Sequence, residues 1–518
     1  MRKQSRRTDI VIVIVLIAIV VFTFLSANKR ESASGAQTEP VSMAQYDGKT
    51  LGAMPGSLSE DITAERFPNS PIQYYTATPD LCTALLTGKI DGFVSSRIIL
   101  EQLAKENNNI TWFPEVLRTG YRYLGFPKTA KGEKLRAQLD EMLLAYQADG
   151  TMEQIEGIWY GDDESLKVVD DSGLTGENGT LKVGICATDE PYNYYRGQKL
   201  TGFNVDLVTR FARRYGYALE YTDTNPPSLL LGLTTGKYDM LGFAISYSEE
   251  RAQTMLFSEP VVRFENHLAV RVSDNPEGAQ GGAVEQAGLL EKIAESFEKT
   301  FIREERWKLI LEGIWNTTLI TFLAVLAGTV LGLAICLFRR TGSALANVIS
   351  DLYVKIMQGM PMVVLLLILY YVIFGDSSLA AMWVAVIGFS LHFGAYNSET
   401  LRSGIDSVPP GQREAALALG YTENEAFYHF ILPQAVNHIL PVYVGEVISL
   451  LKGTAVAGYI SVQDLTKVSD IIRSRTYEAF FPLIATALIY FLLAWIIRQL
   501  LNMVLKRINP RFEGGKKK

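Results

Sequence analysis

Hydrophobic residues follow three successive patterns along the chain. Residues 10–25 form one almost purely apolar run after a basic start. Between about residues 46 and 272, short apolar runs of strand length alternate with amphipathic stretches of helix length. From residue 307 onward, the apolar runs become long enough to cross a bilayer, which takes about 20 residues. The pattern therefore predicts an N-terminal membrane segment, an α/β region and a helical membrane region.

The N-terminal apolar run is typical of a targeting segment. Four of residues 1–7 are basic, and Thr23 is the only polar residue within the run. Basic residues before an apolar run stay in the cytoplasm, so the residues that follow are exported. We favour an uncleaved signal anchor over residues 1–27; a cleaved signal peptide ending near Ala27 is the alternative. Residues 28–45 are polar and indicate a linker.

The region between residues 46 and 272 is predicted to be an α/β fold with a mostly parallel sheet, because strands and helices alternate. The predicted strands cover residues 49–53, 72–76, 91–94, 181–186, 218–221, 240–244 and 267–272. The predicted helices cover residues 57–65, 81–87, 97–106, 135–148, 152–159, 205–215 and 229–235.

The membrane region, residues 307–505, is predicted to contain five spans near residues 309–338, 346–374, 379–402, 434–457 and 478–505. A Gly- and Ala-rich linker and a charged amphipathic helix precede it, together residues 273–306. Arg339 and Arg340 follow the first span, and a basic tail, residues 506–518, follows the last. The positive-inside rule places these residues and the loop 403–433 in the cytoplasm.

The composition excludes several classes of function. The 518-residue chain has a net charge of −6 and no basic surface of the kind that binds nucleic acid. Its three cysteines are widely spaced, which argues against a disulfide framework or a metal site, and its four histidines form no metal-binding motif. No nucleotide-binding signature, catalytic triad or carboxylate pair is evident. We expect no metal, no cofactor and no enzymatic activity in this chain.

The loop between the third and fourth predicted spans is helical but not apolar enough to cross a membrane. Glu414 begins a run of good helix formers, Gly420 breaks that helix after about two turns, and Pro433 is expected to end a second amphipathic turn. Two short helices at an angle suit docking into a groove on another protein, although an ordinary amphipathic connector fits the same pattern.

The spacing of Glu-Ala-Ala, a glycine and a final Leu-Pro resembles the EAA loop of ATP-binding-cassette (ABC) importer permeases. In that family the loop, here residues 406–433, is the cytoplasmic coupling helix that fits a cleft on the ATPase subunit. The residues to which the resemblance assigns ATPase coupling are Glu414, Ala415, Ala416, Gly420, Leu432 and Pro433.

Segments of the exported region resemble the periplasmic solute-binding proteins for polar amino acids. Residues 202–207, 233–240, 246–251 and 257–260 (GFNVDL, LTTGKYDM, SYSEER and FSEP) resemble that family's first lobe. Residues 48–57 and 86–94 resemble its second lobe, and residues 150–161 resemble its C-terminal helix. The resemblance implies an α/β clamshell of two lobes.

The order of these segments differs from the family's order. The chain runs from lobe 2 (residues 46–126) through the C-terminal helices (residues 127–168) to lobe 1 (residues 179–272). Each segment occurs once, so we infer one circularly permuted domain, which is tolerated when the original termini lie close together. Two degraded half-domains are the alternative.

The resemblance also implies a solute site. Arg251 offers a guanidinium that suits a carboxylate, and Ser246, the Ala244 backbone and Ser57 complete the site for an α-carboxylate. The family's usual acidic residue for the α-amino group falls at Ser96. The family's usual stacking aromatics align near Asp189 and Pro226, neither of which is aromatic. Residues that could replace the missing counter-charge or ring are Asp189, Glu190 and Tyr192, with Asp189 preferred as the counter-charge.

These expectations combine into one interpretation. The chain is a type I ABC importer-like permease subunit in the cell membrane, with an exported clamshell joined to an all-α bundle and an N-terminal anchor. It takes up a polar amino acid or a related small carboxylate. Its expected partners are a dimer of a separate ABC ATPase and a second permease, identical or similar. A ligand-gated channel or a ligand sensor built on the same clamshell is the alternative.

Overall fold

A computed structural model describes residues 42–508 except 56, 76, 107–108, 275–288, 376, 378 and 479. The predicted signal anchor, nearly all of the linker after it and the tail from residue 509 lie outside the described residues. Most of the second predicted linker, residues 273–288, also lies outside them.

The strands follow the order of the chain. They are β1 (Leu51–Ala53), β2 (Ile72–Tyr74), β3 (Gly92–Ser96), β4 (Ile110–Trp112), β5 (Arg118–Pro127), β6 (Thr180–Ile185), β7 (Thr188–Asp189), β8 (Asn193–Arg196), β9 (Lys199–Thr201), β10 (Ala218–Asp223), β11 (Met240–Ser246), β12 (Met255–Phe257) and β13 (Val262–Arg271).

The α-helices alternate with these strands and then form the membrane region. Those of the α/β region are α1 (Leu58–Arg66), α2 (Thr78–Leu86), α3 (Arg97–Glu106), α4 (Ala130–Ala148), α5 (Thr151–Tyr160), α6 (Phe203–Arg214), α7 (Pro226–Thr234) and α8 (Glu249–Thr254). Those that follow are α9 (Leu289–Phe297), α10 (Trp307–Arg339), α11 (Ala344–Gly359), α12 (Met362–Leu367), α13 (Ala381–Asp406), α14 (Pro410–Ala418), α15 (Glu423–Ala426), α16 (Leu432–Gly453), α17 (Leu465–Thr476) and α18 (Phe480–Ile508).

One ten-stranded sheet runs through the whole α/β region. Its order is β10-β6-β11-β5-β13-β3-β1-β2, with β12 beside β5 and β4 beside β13. Strands β6, β10 and β11 are parallel and form the first lobe, and β1, β2 and β3 are parallel and form the second lobe. Strand β5 leaves the second lobe and pairs antiparallel with β11 of the first. Strand β13 leaves the first lobe and pairs antiparallel with β3 of the second, so two adjacent strands cross between the lobes.

Helices α4 and α5 pack on the first lobe, although they precede it in the chain. Leu139 and Trp159 share one buried cluster with Val183 and Phe211 of that lobe. Trp159 is completely buried, and its Nε1 donates to Asp206 Oδ2 at 3.0 Å. This bond satisfies a polar group that burial would otherwise leave without water.

The membrane region contains three described helices that are long and apolar enough to cross a bilayer, Trp307–Arg339, Glu423–Ile460 and Phe481–Met503. Helices Ala344–Gly359 and Met362–Ile373 together would make a fourth span, but they are bent by 106° at the break. Pro361 stands at that break and has no N–H to continue the first helix. Helix α13, at the third predicted span, is less apolar and is not among the three.

Small residues bring α10 and α13 close together. A Cβ on Gly332 would lie 2.8 Å from Asn397 Nδ2 and 3.0 Å from the Gly394 carbonyl oxygen. A Cβ on Gly394 would in turn lie 2.9 Å from Leu331. Glycine at both positions therefore permits a close backbone approach, as is usual between membrane helices.

Two expectations about helix ends were wrong. Pro433 does not stop a helix: the helical stretch runs on from Glu423 to Ile460. A π-helical turn, Phe427–Ile431, precedes Pro433, which lies in the first turn of the α-helix that follows. Proline is tolerated in a first turn because the N–H that it lacks would be unpaired there anyway. The predicted helix 289–306 ends earlier, because Glu304 and Glu305 adopt positive φ angles of 57° and 55°.

Candidate functional site

The junction between the first lobe and the crossing strands gathers several predicted solute-site residues. Ser246, the last residue of β11, lies directly opposite Arg122 of β5. The Arg251 Nη1 donates to the Ser246 carbonyl oxygen at 3.0 Å. Helix α8 presents Arg251 there because the Ser248 side chain accepts from the Arg251 backbone N–H at 3.2 Å and caps the helix. Ser246 therefore neighbours Arg122 in the sheet and accepts a hydrogen bond from Arg251.

Asp189 joins this cluster through Arg122, which the sequence interpretation missed. Arg122 Nη1 lies 3.2 Å from Asp189 Oδ2, and the two side chains are 19% and 21% exposed. The guanidinium also stands 5.2 Å from the centre of the Tyr192 ring and 5.3 Å from that of Phe264. Burial raises the pKa of Asp189, and the charge of Arg122 opposes that rise. Both rings are far from Arg122 in the sequence, so no local pattern marked this residue.

The other predicted solute-site residues have structural surroundings of their own. Ala244 and Tyr192 are buried in the first-lobe core. Ser57 caps α1: its Oγ accepts from the Glu60 N–H at 3.3 Å and donates to the Met54 carbonyl oxygen at 2.6 Å. Ser96 is buried in the second lobe, and its Oγ has no hydrogen-bond partner among the described residues. The structure therefore groups Ser246, Arg251 and Asp189, and it leaves Ser57 and Ser96 on the opposite lobe.

Glu190, next to Asp189, pairs with an arginine of the membrane region. Arg475 Nη1 contacts Glu190 Oε2, and both side chains are 7% exposed. Arg475 also contacts Glu304 and stands 4.4 Å from the centre of the Tyr194 ring. Burial alone would lower the pKa of Arg475, but Glu190 and Glu304 outweigh burial and hold it above its usual value.

Both lobes contact the segment from Asp464 to Tyr477, which connects α16 to α18 and contains helix α17. In the first lobe, Asp223 Oδ1 lies 3.3 Å from Lys467 Nζ, and both side chains are buried. In the second lobe, Asp80 contacts Arg473, and Tyr477 joins the buried cluster that contains Leu81. The α/β region therefore contacts the connection between α16 and α18 through charged and apolar groups together.

Further contacts attach the first lobe to the bundle. The Tyr238 and Tyr371 hydroxyls lie 3.4 Å apart. Lys237 Nζ donates to the carbonyl oxygen of Phe374 at 3.2 Å, and Thr224 Oγ1 donates to that of Tyr459 at 3.2 Å. All these groups lie at the end of the bundle opposite the loop 406–433.

That loop forms an exposed pair of helices. Gly420 ends the first of them, α14, with a φ of +89° that favours glycine. Thr422 begins the second through a capping box with Glu425. Of the predicted coupling residues, Glu414 and Ala415 are exposed and Ala416 is buried. Leu419 is 74% exposed, which leaves an apolar side chain at the tip.

The last two predicted coupling residues, Leu432 and Pro433, lie in the first turn of α16, with Leu432 partly buried and Pro433 exposed. They form the root of the loop, where it enters the bundle.

A cavity of about 340 Å³ lies within the bundle, near the root of the same loop. Its polar lining includes Gln358, Glu399, Thr400, His438 and Glu446. Thr400 Oγ1 donates to Glu446 Oε1, and Glu446 Oε2 is buried without a hydrogen-bond partner among the described residues. Among those residues, no group of three or more His, Cys, Asp or Glu side chains could hold a metal ion.

Two family profiles match the chain. The profile described as "Binding-protein-dependent transport system inner membrane component" matches residues 324–510. The profile described as "Bacterial extracellular solute-binding proteins, family 3" matches residues 181–408. The second match begins at β6 and leaves the second lobe outside it.

Individual relatives match part of the chain. The probable amino-acid ABC transporter permease protein YckA of Bacillus subtilis (strain 168) is 36% identical over 204 residues, which is 39% of this chain and 90% of that protein. The putative glutamine transport system permease protein GlnP of Rickettsia typhi is 32% identical, over 38% of this chain and 92% of that protein. A crystal structure of an amino acid ABC transporter with histidines is 32% identical, covers 43% of this chain and 100% of its own, and has a TM-score of 0.37.

Proposed function

Since the chain belongs to the family of binding-protein-dependent transport system inner membrane components, as an importer permease fused to a solute-binding domain, we propose that its solute is a polar amino acid or a related small carboxylate. The observation that carries this proposal is the meeting of Arg251, Ser246 and the Arg122–Asp189 pair at the junction of the lobes. One arginine suits a carboxylate, and one acidic residue suits an ammonium group.

In this proposal, Arg251, Ser246, the Ala244 backbone and Ser57 hold the carboxylate when the lobes close. Asp189 and its neighbour Glu190 are the acidic residues that can supply the negative charge that Ser96 lacks, and Arg122 pairs with the first of them. Three relatives agree with this class of solute, because their names specify transport of glutamine, arginine and L-cystine.

The exposed loop 406–433 is proposed to bind a separate ATPase dimer. Its support is the position of Glu414, Ala415 and the exposed tip residue Leu419 at the end of the bundle opposite the solute-binding domain. Closure of the ATPase dimer would then shift the bundle between outward-open and inward-open states. A second permease, identical or similar, completes the pathway, and the cavity beside Glu446 lies on it.

The solute-binding domain is proposed to be one circularly permuted clamshell. The support is the exchange of β5 and β13 between the lobes, together with the packing of α4 and α5 on the lobe that follows them in the chain. In the unpermuted order, β13 would lead directly into β1, and α5 would be the C-terminal helix. Five spans and an N-terminal anchor, with the loop 406–433 and the C-terminus in the cytoplasm, complete the topology that we propose.

Solute binding to the full-length chain in lipid nanodiscs tests the proposal. We expect at least one of L-glutamine, L-arginine and L-cystine to bind, and Arg251→Ala to weaken that binding by roughly 10- to 100-fold, as the loss of a charge-assisted hydrogen bond would. Arg263→Ala is the matched control, because its side chain is 64% exposed on a neighbouring strand. Binding that is unaffected by Arg251→Ala would overturn the site, and binding of none of these amino acids would overturn the proposal that the solute is a polar amino acid of the kind named for these relatives.

A further inference from the structure

The acidic residues beside the solute site are already paired. Asp189 pairs with Arg122, and Glu190 pairs with Arg475. An ammonium group needs a carboxylate whose charge is not already compensated. An amino acid can therefore gain a full counter-charge here only if one of the two arginines moves away.

The two arginines differ in where they belong. Arg122 lies on β5, whose backbone pairs with a strand on each side, so it belongs to the same domain as Asp189 and does not leave it when that domain moves as a whole. Arg475 lies near the end of α17, in the connection between two membrane helices. It can leave Glu190 whenever the solute-binding domain lifts from the bundle, without any change inside either lobe.

The surroundings of Arg475 make this pair specific. Tyr194 lies under its guanidinium and Glu304 contacts its second nitrogen, so Arg475 keeps one acidic partner after it leaves Glu190. Glu190 keeps none: Arg475 is the only cation with which it forms a described ion pair. Separation therefore leaves Glu190 as the charge that needs a new partner.

We propose that Arg475 of the membrane region occupies, at Glu190, the place of the solute's ammonium group, so that docking of the solute-binding domain and binding of an amino acid compete for one carboxylate. This inference rests on the proposed function, and it identifies the α-amino group of the solute as the group that Glu190 recognises. Docking on the bundle then weakens the hold on the ammonium group and favours release toward the membrane pathway. By linkage, a bound amino acid weakens docking by the same factor.

The first experiment measures equilibrium binding to the full-length chain in nanodiscs. The probes are L-glutamine and L-arginine, each paired with its analogue that lacks the α-amino group, glutaramate and 5-guanidinovalerate. For an amino acid that binds, we expect Arg475→Gln to lower Kd by about tenfold, within the usual range of coupling between sites. The Kd of its analogue should not fall, because Glu190 has nothing to bind there.

Two further variants separate this role from a general structural one. Arg475→Lys keeps the charge and should keep the wild-type Kd. Arg196→Gln removes an arginine of the first lobe, which also contains Glu190. Arg196 pairs with Glu164 instead, so its loss should also leave Kd unchanged. An unchanged Kd in Arg475→Gln, or an equal gain for the analogue, would overturn the inference.

The second experiment needs no variant. Hydrogen exchange of the α17 amides in the wild-type chain should become faster by about the same tenfold when a bound amino acid saturates the site. Saturation without faster exchange would overturn the inference and leave the proposed function intact. Absence of amino-acid binding in both the wild type and Arg475→Gln would overturn both.

Discussion

The buried ion pair between Asp223 and Lys467 is expected to hold the solute-binding domain on the membrane bundle. The charged atoms lie 3.3 Å apart, and the two side chains are 5% and 9% exposed. At an effective dielectric constant of about 20, their attraction is about 5 kcal/mol. Burial opposes the charge of Lys467, but Asp223, together with Cys186 and Asp470, outweighs burial, so the pKa of Lys467 is raised.

Asp223→Asn removes the charge and keeps the shape. The remaining side-chain oxygen can still accept the Ala187 N–H, which now donates to Asp223 Oδ1 at 3.0 Å. The change leaves Lys467 buried and uncompensated, which costs about 3–5 kcal/mol. A loss of 3 kcal/mol is roughly a 100-fold shift toward the undocked state.

Hydrogen exchange of the α17 amides in the full-length chain measures this shift. We expect exchange to become about 100-fold faster in Asp223→Asn, since these amides exchange when the segment separates from the lobe. The double variant Asp223→Leu with Lys467→Met should exchange more slowly than Asp223→Asn, because it buries no unpaired charge. Asp171→Asn is the control: its pair with Lys199 is exposed and spans 3.7 Å.

Two outcomes would refute this reasoning. If Asp223→Asn exchanges no faster than the wild type, the pair does not hold the domain on the bundle. If the double variant exchanges as fast as Asp223→Asn, the loss comes from Asp223 itself and not from an unpaired Lys467.

Three further predictions concern other parts of the molecule. Burial raises the pKa of Asp464 to about 6, so its protonation stabilises the folded state fully below about pH 4, and this stability is lost as the pH rises through 6. Asp464→Asn, which keeps the helix cap, should flatten the dependence of thermal stability on pH over that interval, and an unchanged dependence would contradict the prediction. Gly420→Ala should lower the stability of the loop by about 1 kcal/mol, because of its φ of +89°, and should reduce solute-coupled ATP hydrolysis by the reconstituted complex. Gly411→Ala, at a position with open space and no positive φ, should do neither, and equal effects of the two variants would contradict the prediction. Gly332→Ala should lower the thermal unfolding midpoint of the full-length chain because its Cβ meets α13, whereas Gly359→Ala meets nothing within 4 Å; an unchanged midpoint would show that α13 can move aside.

The predicted solute-site residues that the structure brings together are close to each other in the sequence. Ser246 and Arg251 are five residues apart, so one strand end and one helical turn bring them together. Arg122 was missed because β5 was not predicted at all, and its meeting with Ser246 depends on the register between β5 and β11. Arg475 is separated from Glu190 by most of the membrane region, and no local pattern links them.

The amino-acid sequence by itself determined the class of this protein. Apolar run lengths and the alternation of strands and helices predicted the membrane and α/β regions. The resemblance of their motifs to two families implied an importer permease with a fused solute-binding domain, and the family matches confirm that prediction. These signals are readable in sequence because they follow from periodicity and from motifs of a few residues.

Only the tertiary structure decided which charges meet. Sheet register placed Arg122 on Asp189, and docking of the lobes on the bundle placed Arg475 on Glu190 and Lys467 on Asp223. It also decided that the helix continues past Pro433 and that the second predicted span bends at Pro361. Such contacts join residues far apart in the chain, and their energies depend on burial, which a sequence pattern does not contain.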